Sequence, residues 1–230
     1  MRSSDVISAR AMSEIPQAAN AAIYRGCRLD QFLTVHCSRG GISLFEVHVF
    51  ITAFTKSVGD WLRLRGAPLA WIWVLENPPM HGLNWHFLLH VPEEHIAAFK
   101  RVYRKKLELA GANVRPARVA KLKPVRERDD PFNSKYREEL EGLLRYLLKG
   151  GEPEMCQRLW IKHVNQGFII GKRVGFSEFL GPKARAKAKP SRWHHYRHGR
   201  RVEIESRQPF LLMEEDDDPP CDWQQVRRYG

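Results

Sequence analysis

Residues 71–92, WIWVLENPPMHGLNWHFLLHVP, leave the chain few ways to fold. Two apolar, aromatic-rich runs flank a Pro/Gly-rich loop, the pattern of two antiparallel strands joined by a turn. For so hydrophobic a segment it is dense in metal-capable groups: Glu76, His81, Asn84, His86 and His90. Period-two alternation puts Asn84, His86, Leu88 and His90 on one strand face and Trp85, Phe87, Leu89 and Val91 on the other. If WIWVLE pairs with NWHFLLH, Glu76 lies opposite Asn84, and His86 comes next on the same face. A carboxylate, an imidazole and an amide oxygen form a mixed, fairly hard set that suits Mg²⁺ or Mn²⁺ better than structural zinc. His81, in the loop, is a further candidate ligand. His90 stands about 13 Å along the strand from His86, too far to share one ion. The bland alternative stays open at this stage: Glu76 ends a strand at the water line and His86 hydrogen-bonds within a core face.

The flanking segments supply the remaining elements. RLDQFLTVHCS (28–38) alternates Phe32, Thr34 and His36 against Leu33, Val35 and Cys37, a half-buried strand broken by Gly40–Gly41. Ser43 can cap a helix running to about Arg65, with Gly66 and Pro68 ending it. Pro92, Glu93 and Glu94 open a second helix of roughly 93–110, acidic in its first turn and basic later. Residues 112–126 alternate basic and apolar side chains as a solvent-facing strand. Asp129–Pro131 make a turn, and a helix from about Asn133 to Leu148 ends at Gly150–Gly151. The resulting β-α-β-β-α-β-α order predicts an α+β fold, an antiparallel sheet covered by helices. Residues 1–25 read as a flexible lead-in, 26–152 as the folded domain, and 153–230 as a basic, partly disordered extension.

Charge points to a partner. The net charge is +12 with a pI near 9.8, which favours a polyanion, with nucleic acid ahead of a membrane surface. No run approaches the roughly 18–20 apolar residues of a spanning helix, and the N-terminus lacks an apolar signal region. The four cysteines are scattered without a CxxC pair, as reduced thiols of a cytoplasmic protein would be. In the tail, Arg185, Lys187, Lys189, Arg192, Trp193 and Arg197 combine cations with a ring that can stack on unpaired bases. A solvated tail that binds any polyanion is the equal alternative. The acidic run Glu214–Asp218 can shield these cations when no DNA is present.

In RYLLKG (145–150), Tyr146 and Lys149 share a helix face at i, i+3. A phenol is a poor nucleophile at its ordinary pKa of about 10, and a neighbouring ammonium or metal ion favours the phenolate that in-line attack on phosphorus requires. The same spacing recurs at Tyr103–Lys106; only Tyr146 follows the last strand of the order above. The alternative for Tyr146 is a core aromatic whose hydroxyl reaches the surface.

Taken in order, these residues resemble the HUH endonucleases, in particular the rolling-circle replication initiator (Rep-type) branch. FLTVH (32–36) is similar to that family's first-strand motif, NWH (84–86) to its His-hydrophobic-His metal motif with Glu76 before it, and YLLK (146–149) to its tyrosine helix. The resemblance covers about residues 26–152. It implies that Tyr146 attacks a phosphodiester of single-stranded DNA, keeps the 5′-phosphate and releases a 3′-OH primer. Glu76 and His86 would hold the activating Mg²⁺ or Mn²⁺, and Lys149 would position that ion or the phosphate. The chain departs from the motif at Asn84, which stands where the first histidine belongs; an amide binds a cation more weakly, and His81 and His90 are the candidate compensators. The expected role is nicking and joining at the replication origin of a plasmid- or phage-like element, with a host helicase or polymerase as a further partner and no membrane. A catalytically impaired DNA-binding regulator, or a related single-strand transposase or relaxase, are the alternatives.

Overall fold

A computed structural model describes residues 3–115, 118–125, 134–187, 194–197 and 200–203. Strand β1 (Ser3–Ser4) and helix α1 (Ala9–Tyr24) lead into β2 (Gln31–His36), α2 (Val47–Arg63), β3 (Trp71–Glu76), β4 (Asn84–Leu89), α3 (Glu93–Leu109), β5 (Ala120–Pro124) and α4 (Ser134–Leu148). Helix α5 (Pro153–Arg158), strands β6 (Ile169–Ile170) and β7 (Val174–Phe176) and helix α6 (Pro182–Lys187) follow, then a hairpin of β8 (His194–Arg197) and β9 (Arg200–Glu203). From β2 to α4 the elements come in the order expected from the sequence. The fold is α+β, as expected.

The main sheet has five antiparallel strands in the order β5-β2-β4-β3-β7. Period-two alternation gives it two apolar faces. On one, Leu33, Val35, Trp73, Leu75, Trp85 and Phe87 pack against α2 and α3. There the Phe54 ring meets Trp85 and Phe87 edge-on at centroid distances of 5.3 and 5.7 Å, the geometry that ring quadrupoles favour. On the other, Phe32, Ile72, Val74 and Leu88 pack against Ile15 of α1 and Leu140, Leu144 and Leu147 of α4. The even-numbered positions of β2, β3 and β4 therefore face the tyrosine helix, and those that the helices leave uncovered line a cleft.

Three expectations are corrected. Within the stretch expected to be a flexible lead-in, residues 3–25 belong to the fold: α1 buries Met12, Ile15, Ala19, Ala22 and Ile23 along one stripe, and Glu152 Oε1 accepts from the Ala9 N–H at 3.0 Å. Pro16 lies inside this helix and interrupts its pattern in the sequence. The extension expected from residue 153 is part of the fold as far as residue 187. It carries β7, which pairs with β3, and β6, which pairs with β1. A Cβ at Gly175 would fall within the Trp73 indole, so the fifth strand fits only because that position is bare. The strand expected over 112–126 narrows to β5, since Ala112 and Val114 are buried in a loop. The turn expected at Asp129–Pro131 and the acidic run 214–218 lie outside the described residues. Among the described residues no helix is long and apolar enough to cross a membrane.

Candidate active site

The register of β3 and β4 sets Glu76 directly opposite Asn84, as the sequence pattern predicts. On the other side of β4, His36 of β2 faces Asn84 and Thr34 faces His86. His36, Asn84 and Glu76 thus form one cross-strand row, with Thr34 and His86 in the next. Helix α4 lays Tyr146 over these rows, and Lys149, in the turn just past the helix end and not on its face, joins it there. The outcome is a cleft of about 720 Å³ whose walls include all seven of these residues and His81.

Its floor is a continuous polar network. Glu76, only 3% exposed, accepts from Lys149 Nζ at 2.7 Å through Oε1 and from His86 Nε2 at 3.1 Å through Oε2. His86 Nδ1 meets the Thr34 hydroxyl at 3.2 Å. The imidazole stacks on Phe32 at 5.7 Å and touches the Tyr146 ring edge-on at 5.4 Å. Lys149 Nζ also lies 3.4 Å from the Tyr146 ring centre, a cation–π contact in a nearly dry setting. Burial alone would raise the Glu76 carboxyl, but the His86 and Lys149 contacts outweigh it and hold the group at about 2. Burial lowers Lys149, against the pull of Glu76. Tyr146 is pushed up by burial and then by the Glu76 charge, and its hydroxyl has no hydrogen-bond partner among the described residues.

A second network adjoins the first. Asn84 Nδ2 donates to the Gly82 carbonyl at 2.9 Å, which fixes the amide orientation and turns Oδ1 toward His36 Nδ1 at 2.6 Å. An amide oxygen only accepts, so Nδ1 carries the proton. Burial lowers the His36 pKa.

The sequence-selected residues divide clearly. Tyr146, Lys149, Glu76, Asn84, His86 and His81 all line the cleft, with His81 exposed on its loop. His90 does not: Nδ1 donates to the Arg28 carbonyl at 2.7 Å, beside Asp30. Arg185 is turned inward, with Nη1 donating to the Leu180 carbonyl at 2.6 Å and its guanidinium over Phe176. Lys187 ends α6 and Arg197 ends β8, while Lys189, Arg192 and Trp193 lie outside the described residues. The cations that do line the cleft were not singled out from the sequence: Arg39, Arg118, Lys121 and Lys123 join Lys149, against Glu76 as the one carboxylate on the wall among the described residues. Lys121 and Lys123 were legible as alternate positions of a strand, pairing with Thr34 and Phe32. Arg39 and Arg118 carry no local signal.

Among the described residues no three His, Cys, Asp or Glu side chains come close enough to hold a metal ion as they stand. Glu76 and His86 are the described donors that could hold one, with the His86 proton moved from Nε2 to Nδ1. The 3.1 Å between Glu76 Oε2 and His86 Nε2 is close to the edge of an octahedron with metal–ligand bonds of about 2.1 Å, which is about 3 Å. No known family profile, curated protein or solved structure matches this chain.

Proposed function

We propose that this protein nicks and rejoins single-stranded DNA through a phosphotyrosine intermediate on Tyr146, and so initiates replication of a plasmid- or phage-like element. One observation carries the reading: a tyrosine whose hydroxyl has no partner among the described residues, a lysine and a buried Glu–His pair, drawn from three separate elements, meet in one cleft walled by basic side chains. The cations and the rings would serve a binding surface as well; the buried carboxylate and imidazole beneath the tyrosine are the groups that could also hold a divalent ion.

The chemistry follows from the positions. Cations along the β5 edge would track the phosphodiester backbone, and Phe32 and Tyr146 offer rings to the bases. The Tyr146 oxygen attacks phosphorus in line. A Tyr–O–P bond forms, the P–O3′ bond breaks, and the departing oxygen takes a proton to become a 3′-OH. Burial and Glu76 keep the phenol protonated at rest, so the attack needs added positive charge near it; Lys149, on the ring face, contributes part. A Mg²⁺ or Mn²⁺ ion held by Glu76 and His86 would supply the rest and polarise a phosphoryl oxygen. Thr34 can serve as donor or acceptor to His86 Nδ1 and so lets Nε2 be freed for a ligand. Glu76 can serve an ion and Lys149 at once, because its two oxygens point to different partners. The three described cysteines are free and buried, which supports a place in the reducing cytoplasm.

The test is a denaturant-resistant protein–DNA adduct, formed when the full chain meets a single-stranded DNA library with Mn²⁺. The reading requires an adduct that disappears in both Tyr146→Phe and His86→Ala. Tight DNA binding without an adduct would favour the non-catalytic DNA-binding protein in its place.

A further inference from the structure

Resting on the nicking reading, we infer that His36 is the second imidazole of the metal centre, and that Asn84 is the positioning residue that holds it rather than a ligand. The chain has an amide where the NWH segment would need an imidazole to complete a His–x–His pair on β4. The structure supplies one from the neighbouring strand. His36 sits directly across from Asn84, which makes it the diagonal neighbour of His86, at about 7–8 Å between backbones. Both rings project from the same face of the sheet into the same cleft.

The hydrogen bonds assign the free nitrogen. Asn84 is fixed by its bond to the Gly82 carbonyl, so its oxygen must receive the His36 Nδ1 proton. A neutral His36 ring with Nδ1–H bears its lone pair on Nε2, and Nε2 has no hydrogen-bond partner among the described residues. Donation of one ring N–H to an oxygen acceptor is how protein imidazoles are oriented for metal binding through the other nitrogen. His86 is held at the same nitrogen but in the opposite sense: Nε2–H donates to Glu76 and Nδ1 accepts from the Thr34 hydroxyl, so ligation through Nε2 requires its proton to move to Nδ1 with Thr34 turning to accept it. Each imidazole is therefore braced at Nδ1 by a polar side chain of the adjacent strand.

The row spacing allows the set to close. Glu76 and His36 flank Asn84 on either side, so their backbones stand about 10 Å apart at two strand spacings. The three donors do not meet as they stand; a carboxylate and an imidazole reaching inward from that separation would have to turn toward each other to share one ion over the smaller Asn84. An imidazole at both 84 and 36 would put two large rings on one cross-strand pair; the amide leaves room for one ring and holds it. The resulting donor set is Glu76, His86 and His36, one oxygen and two nitrogens, with open positions for water and a phosphoryl oxygen. Such a set accepts Mn²⁺ readily.

The experiment is Mn²⁺ titration calorimetry on the full-length chain without DNA, with melting temperature measured for every variant. His36→Asn keeps a donor for Asn84 but removes Nε2, and it should weaken Mn²⁺ binding at least ten-fold, comparably to His86→Ala. The exchange variant His36→Asn/Asn84→His moves the imidazole one strand over and should regain most of that loss. His95→Ala, outside the cleft, should stay within two-fold of the wild type. The inference is overturned if His36→Asn binds Mn²⁺ within two-fold of the wild type, if the exchange variant is as weak as His36→Asn, or if the wild type binds no Mn²⁺. Failure of the nicking reading is read elsewhere, as an absent Tyr146 adduct, and the two results separate: a chain that binds Mn²⁺ through His36 and forms no adduct keeps the centre and loses the enzyme.

Discussion

Glu76→Gln tests whether the buried carboxylate is held by its partners or merely tolerated. The folded protein lowers this carboxyl from 4.5 to about 2, and each unit is worth about 1.4 kcal/mol. The charged form therefore contributes about 3 kcal/mol to folding at pH 7. Because the folded value is the depressed one, that contribution is complete above the unfolded value of about 4.5 and fades as pH falls toward 2. At pH 3 roughly 1 kcal/mol remains. A separate argument gives a similar figure. The substitution leaves the largely buried Lys149 ammonium facing a neutral amide, and removing one partner of a fully buried ion pair costs about 3–5 kcal/mol, an upper bound here.

The expectation is a loss of about 3 kcal/mol in urea unfolding at pH 7, or about 6–12 °C in melting temperature for a chain of this size. The gap to wild type should narrow by more than half at pH 3. The double variant Glu76→Gln/Lys149→Met, which removes the stranded ammonium, should recover part of the loss. A Glu76→Gln protein as stable as wild type at pH 7, or a deficit that acid leaves unchanged, would refute the reasoning. A more stable variant would mean that desolvation outweighs both partners.

Tyr146→Phe should leave the unfolding free energy in urea within about 0.5 kcal/mol of wild type, since the hydroxyl has no hydrogen-bond partner to lose among the described residues, while abolishing the covalent adduct on denaturing gels. Arg118→Ala/Lys121→Ala should lower single-stranded DNA affinity for every sequence tested. It should also flatten the salt dependence by about 1.4 in log–log slope, measured by fluorescence anisotropy. Gly175→Ala should cost about 1–3 kcal/mol in chemical unfolding, because the added Cβ displaces the Trp73 indole between β7 and β3.

The parts of this structure that were legible in the sequence are those governed by local periodicity. Alternation placed Glu76 against Asn84 and put His86 on the same face, and the helical spacing of Leu140, Leu143, Leu144 and Leu147 marked the side of α4 that packs on the sheet. Helix α1 escaped because Pro16 breaks its pattern and its buried stripe is largely alanine, which carries little hydrophobic signal. Strand β7 escaped for a different reason. It is three residues long, contains a glycine, and is held by pairing with a strand roughly one hundred positions earlier. No window of sequence contains that information.

The site shows the same division more sharply. His36 stood in plain view within FLTVH, on the face shared with Thr34, yet its relation to Asn84 exists only once β2 and β4 are neighbours. A motif read along one strand registers Asn84 as a missing histidine. A sheet offers two ways to place a second imidazole beside His86: two residues along the same strand, or across to the adjacent one. Both positions lie within side-chain reach of His86 on the same face. Since strand pairing makes them nearly equivalent in space, loss of the in-strand histidine does not by itself argue for a dead centre. What decides is whether the cross-strand residue can ligate and is oriented to do so, and the bond from His36 Nδ1 to Asn84 Oδ1 at 2.6 Å provides that orientation.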